Sequence, residues 1–190
     1  MSEAAELEER DARAVLLVEG VSDQAALTVL AGRRGMDLAA AGIVIVSMDG
    51  ITNIGHYLER YLAPGRDVRI AGLYDDGEER FVRRGLDRVG LDGELEELGF
   101  YACSPDLEDE LIRALGPSAV EELVAASGEL RSFRRLQRQP AQRSRSLHEQ
   151  LRRLMGGRSG GKQRYAAAMA AAVPLDRVPR PLDAVLTHLS

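Results

Sequence analysis

The chain of 190 residues contains no tryptophan, one cysteine and one lysine, and aromatic residues make up 4% of it. So few aromatic rings exclude the stacking platform on which many single-strand binders depend. Cys103, standing alone, excludes an internal disulfide and any zinc site built from several cysteines. No apolar run approaches the roughly 20 residues that a membrane span needs. The first thirteen residues are acidic and polar, and no secretory signal is visible there. The sequence is therefore read as a soluble, cytoplasmic protein without a membrane partner. What it does have is 45% hydrophobic residues, enough for the core of one domain with a helical appendage.

The net charge of −5 conceals an asymmetry. Residues 131–164 hold eleven basic residues and a single acid, Glu149, for a local charge of +10. The remainder of the chain is correspondingly acidic. A solvated helical surface accounts for such a segment, and so does a contact with polyanions. On the second reading Arg134, Arg135, Arg138, Arg152, Arg153 and Arg158 touch a nucleic-acid backbone without reading its sequence. Every basic side chain but one is arginine; Lys162 is the exception. A lone lysine fits a place where a compact ammonium serves and a guanidinium fork does not, although chance also leaves one behind.

Strand and helix patterns alternate through the first part of the chain. Residues 14–19 (AVLLVE), 42–48 (GIVIVSM), 68–74 (VRIAGLY) and 100–103 (FYAC) read as buried strands. Helices are expected after a polar helical lead-in at 1–13: from Ser22, as N-cap, to 33, over 53–62, over 78–88 and over 106–115. Beyond Gly116 and Pro117 only helical patterns remain, interrupted at Gly128, at Pro140, at the glycine-rich stretch 156–161 and between Pro174 and Pro181. The expected fold is α/β, an open parallel sheet of about four strands flanked by helices, with an all-helical extension. The expected division is an α/β unit over 1–116 and a helical extension over 117–190 that packs on it and carries the basic segment.

In an open α/β sheet ligands bind beyond the carboxyl ends of the strands, so the acids at those ends matter most. The first strand ends at Glu19, with Asp23 on the next helix; the third ends at Asp75 and Asp76, followed by Glu78. The fourth leads to Asp106, Glu108 and Asp109. Converging carboxylates raise one another's pKa unless a hard divalent cation neutralises them. Acids in first turns also complement the helix dipole, which is the plainer account of Asp106 and Asp109. Residues 156–162 fit the spacing G-x-x-x-x-G-K, but Gln163 replaces the required Ser or Thr, and a helical pattern rather than a strand precedes them. That excludes a phosphate-binding loop. What is left is Lys162 just before an expected helix over 163–172, a positive setting that suits phosphate.

The ordered set VLLVEG-VSD, the Asp after VRIAGLY, and DLEDELIRALG resembles a TOPRIM (topoisomerase–primase) domain. The Asp four residues after the Glu and the later G-K before a helix are more specifically similar to the OLD (overcoming lysogenization defect) nucleases. The resemblance runs over about residues 15–115 and, more loosely, around Lys162. It implies that Glu19, Asp23, Asp75 and Glu108 hold one or two magnesium or manganese ions. Gly77 stands where the second Asp of D-x-D would be, which leaves Asp76 or Glu78 to supply that oxygen. Glu19 and Lys162 would be the catalytic pair, Lys162 stabilising charge on the phosphoryl oxygens. The family's ATPase has no strand-associated Walker motif here, so the resemblance implies a separate ATPase as partner.

The leading expectation is a metal-dependent phosphodiesterase acting on DNA. Its alternative is a regulatory or nucleic-acid-binding module without turnover. A receiver-like domain phosphorylated on Asp75 ranks below both, because it leaves Glu19 and the basic segment unexplained.

Overall fold

The computed structural model describes residues 12–157 and 160–190; most of the expected lead-in helix and Arg158 lie outside them. Four strands form one sheet: β1 (Ala14–Val18), β2 (Ile43–Ser47), β3 (Arg69–Asp75) and β4 (Phe100–Cys103). Their order is β2-β1-β3-β4 and every pairing is parallel. β1 is central and buried along its whole length, which is why it reads as an unbroken apolar run.

Alternation along β1 divides the core. Ala14, Leu16 and Val18 face one side, where α1 (Val21–Arg33) covers the sheet with Ala26, Leu27 and Leu30. Val15 and Leu17 face the other, against α3 (Ile54–Tyr61) and α4 (Glu79–Arg88), which contribute Ile54, Leu58, Val82 and Leu86. A short α2 (Leu38–Ala41), not expected from the sequence, is capped by Asp37 and leads into β2. At Gly72 a Cβ would come within 2.4 Å of the Phe100 ring, so the glycine is what lets β3 and β4 close.

The first core continues without a break into the C-terminal helices. These are α5 (Leu107–Leu115), α6 (Pro117–Ala126), α7 (Leu130–Gln137), α8 (Leu147–Met155), α9 (Gly161–Ala172) and α10 (Arg180–His188). Val120, Phe133, Leu151, Met155, Tyr165, Met169 and Val185 all join it. α9 lies along α1, and α10 packs on β3 and β4. Arg33 fastens the first of these contacts: its guanidinium donates to the carbonyls of Ala170 at 2.7 Å and Val173 at 2.6 Å, at the end of α9. A cation there also complements the helix dipole.

Three boundaries differ from expectation. α1 begins at Val21 with Gly20 as its cap rather than Ser22, because Asp23 reaches back to accept from the Gly20 amide at 3.0 Å. α9 begins at Gly161 rather than 163, so Lys162 lies inside its first turn. Pro181 does not break the chain but sits in the first turn of α10, where its missing N–H costs nothing.

Candidate metal and phosphate site

The strand ends place the acids together. Glu19 follows β1 directly, and its carbonyl accepts from Gly50 at 3.0 Å in the loop after β2. Asp49, in that loop, adopts a left-handed φ of 54°, an uncommon conformation for a residue other than glycine. Asp23 sits one turn into α1 and is only 9% exposed. Asp75 ends β3 and is half-buried. Glu108, in the first turn of α5, is 6% exposed.

Electrostatics ties these side chains to one another. Burial first, then the charges of Glu19, Asp23, Asp106 and Glu108, push Asp75 up to about 8. Burial pushes Asp23 up to about 6; its bond from Gly20 opposes this, and Glu108 and Glu19 add to it. Glu78 is raised to about 7 by burial, then by its hydrogen bond with Glu19 and by that group's charge. Glu19 Oε2 and Glu78 Oε2 are buried with no hydrogen-bond partner. Glu108 Oε1 is buried without a partner as well.

Lys162 is the cation that meets this cluster. Its Nζ lies 3.4 Å from Glu108 Oε2. Partial burial acts to lower its pKa, but Glu108, Asp106 and Asp75 outweigh that, and the net shift is upward. The ammonium is therefore firmly charged.

Other expected residues are placed differently. Asp76 is exposed, and its Oδ2 accepts from Ser104 Oγ at 2.8 Å. At Gly77 a Cβ would meet nothing within 4 Å, so packing does not demand a glycine there. Arg152 and Arg153 line a cleft of about 300 Å³ together with Arg145, Lys162, Asp106, Glu108 and Glu149. Arg134 is directed to Glu121 and to Gln137. Arg135 lines a neighbouring groove of about 210 Å³. Arg138 is exposed, and its carbonyl accepts from Arg143 Nε at 3.0 Å. The single cysteine, Cys103, is buried, and burial pushes its thiol well up, which removes it as a nucleophile at neutral pH.

Sequence reasoning passed over two features. Asp106 is more than a cap: its Oδ1 accepts from the Asp109 amide at 2.9 Å, and its Oδ2 pairs with Arg152. Asp109 is a buried hub that accepts from Arg113 at 2.7 Å and pairs with His148 at 2.6 Å, tying α8 to the start of α5. The pattern S-P-D showed the cap; nothing local in the sequence showed partners about 40 residues away.

The donors suit a hard divalent cation, since all are carboxylate oxygens. Among the described residues no three His, Cys, Asp or Glu side chains converge tightly enough to make a ready ligand set. Like charges at close range hold one another apart. The unpartnered buried oxygens of Glu19, Glu78 and Glu108 are the structural sign that the residues fit such an ion, for buried polar atoms are rarely left unsatisfied. No helix among the described residues is long and apolar enough to cross a membrane.

Comparison with known proteins follows the same outline. Residues 12–74 match the family model of the TOPRIM domain of overcoming lysogenization defect protein-like proteins. The C-terminal region of the Xanthomonas campestris pv. campestris OLD protein superposes with a TM-score of 0.73 at 26% identity, covering 96% of this chain and 94% of that one. The C-terminal region of the Burkholderia pseudomallei OLD protein gives a TM-score of 0.71 at 22% identity, covering 94% and 96%. No curated protein matches the sequence. TOPRIM domains generally bind divalent metal ions. The likeness takes in the helices after Gly116 as well as the sheet: residues 12–74 are similar to an OLD-like TOPRIM domain, and the chain shares the fold of the C-terminal regions of OLD proteins.

Proposed function

We propose that the chain is a phosphodiesterase that cleaves DNA with the help of Mg²⁺ or Mn²⁺. The observation that carries the reading is the meeting of a buried acidic cluster with a single ammonium, Lys162 at 3.4 Å from Glu108, at the edge of an arginine-lined cleft. Glu19, Asp23, Asp75 and Glu108 would hold one or two ions, with Glu78 as a further oxygen. A divalent cation there supplies Lewis acidity to a phosphate and acidity to a bound water. Lys162 offers a point charge to oxygens on which negative charge develops. Arg152 and Arg153 orient the phosphate chain, and the wider basic segment, with Arg134, Arg135 and Arg138, draws the polyanion to an otherwise acidic body. Incubation of supercoiled and linear DNA with Mg²⁺ or Mn²⁺ tests this. Cleavage is expected in the wild type and is expected to vanish with chelator or in Glu19→Gln; cleavage that survives both would overturn the assignment.

Gly77 favours a second reading, since one acid of the D-x-D pair is missing although there is room for it. In that case the chain binds nucleic acid without turnover and works beside a separate ATPase. Binding of DNA with no cleavage under any metal, with or without such a partner, would distinguish it.

A further inference from the structure

The cations of the basic segment are not equivalent, and their partners divide them. Arg134 is bound to Glu121, Arg152 to Asp106, and Arg164 to Glu129. Among the described residues six arginines of the segment are exposed and in no ion pair, Arg135 and Arg153 among them. These two line one groove between α7 and α8, of about 210 Å³, with Ser132 and Gln139 as polar neighbours and Leu136 and Leu154 as apolar ones. No carboxylate and no aromatic ring lines it. Arg153 also lines the cleft that holds Lys162, where Asp106, Glu108 and Glu149 stand among the cations, so a single side chain belongs to both depressions.

We propose that the two grooves form one continuous track for a sugar–phosphate strand, running from Lys162 past Arg153 to Arg135. The inference rests on the nuclease reading for the end of the track at Lys162. The occupant follows from the lining. Unpaired guanidinium groups in succession suit successive phosphates, which they bind through paired N–H donors. The lack of aromatic rings means that bases are not stacked, so the track is indifferent to sequence. An isolated anion would need only one of the two depressions.

The test is the salt dependence of binding to the full chain, measured by anisotropy with labelled single-stranded and duplex oligonucleotides in excess chelator, so that no cleavage competes. Each lost phosphate contact should reduce the slope of log K against log salt by about 0.7 for a single strand or about 0.9 for a duplex. Arg153→Gln and Arg135→Gln should each do so, while Arg164→Gln, whose guanidinium already belongs to Glu129, should leave the slope unchanged. Thermal melting checks that the variants remain folded. Slopes untouched by either arginine, or an equal change in Arg164→Gln, would overturn the track while leaving the nuclease reading intact. Polyglutamate that competes as well as an oligonucleotide of equal charge would assign the grooves to an acidic protein instead. Arginine-dependent binding without cleavage in any metal would sink the nuclease reading and leave the track. A wild type that binds no nucleic acid would remove both.

Discussion

Lys162 Nζ and Glu108 Oε2 lie 3.4 Å apart, although 54 positions separate the two residues in the chain. Glu108 is buried and acidic; Lys162 is more than half exposed and is the only lysine. A surface lysine with no task tolerates Lys162→Arg within about 0.5 kcal/mol. A group that stabilises charge in a transition state does not, and loss of such a donor costs on the order of 10²–10³ in rate. Lys162→Ala is therefore expected to reduce single-turnover DNA cleavage strongly, and Lys162→Arg less so, with metal affinity near wild type. Wild-type cleavage by the Ala variant would remove Lys162 from the chemistry.

The acids predict a distinctive pH profile for the chain in chelator. Asp75, Asp23 and Glu78 titrate near 8, 6 and 7 when folded, above their ordinary values of 3.8, 3.8 and 4.5. The folded chain thus binds protons that the unfolded chain has lost, and this stabilisation is complete below about pH 4. It disappears as the pH rises through about 6 to 8. The melting temperature should fall from about pH 5 to about pH 8, and Mn²⁺ at the upper end should restore it by mass action. A flat profile, or one that rises, would contradict the clustering of these carboxyl groups.

Glu19→Gln retains the shape of the side chain and removes its charge. Calorimetry should record weaker Mn²⁺ binding with folding intact. An unchanged affinity would locate the ion elsewhere.

Gly77→Asp makes the opposite change. Open space surrounds the position, so the new side chain meets no obstruction. An added oxygen donor beside Asp75 should tighten Mn²⁺ binding and, in chelator, should lower stability further near pH 8 by adding another like charge. Looser metal binding would show that position 77 faces away from the ion.

Gly72→Ala tests the sheet rather than the site. The new methyl group would fall within 2.4 Å of the Phe100 ring, and overpacking of this kind costs typically about 1–3 kcal/mol. Combining it with Phe100→Leu should recover part of the loss. Full stability in the single variant would mean that β4 can move away from β3 at little cost.

Much of this architecture was legible in the sequence, and the reasons are local. Apolar runs bounded by Gly or Asp located β1, β3 and β4 to within a residue or two, because a strand buried on both faces has little choice of composition. Glu19 and Asp75 could be assigned to one edge because parallel strands share a carboxyl end. Side-chain partnerships were not legible. Asp23 displaced Ser22 as the determinant of the start of α1 through one bond to Gly20. The net charge of the basic segment gave no hint that Arg152 is bound to Asp106 while Arg153, its neighbour, is not. Which of two adjacent arginines meets a carboxylate depends on helix rotation, which a charge count does not contain.

The clasp between Arg33 and the end of α9 joins residues 137 and 140 positions apart. α1 precedes α9 in the chain, so the residues of the acidic cluster are synthesised before Lys162. Closing so long a loop is entropically slow and comes late in folding. Until then Glu108 lacks the ammonium of Lys162, and the proposed chemistry lacks its charge-stabilising group. On the proposed function, a chain interrupted before residue 161 would carry the acids but not the lysine, and its cleavage should be as weak as that of Lys162→Ala.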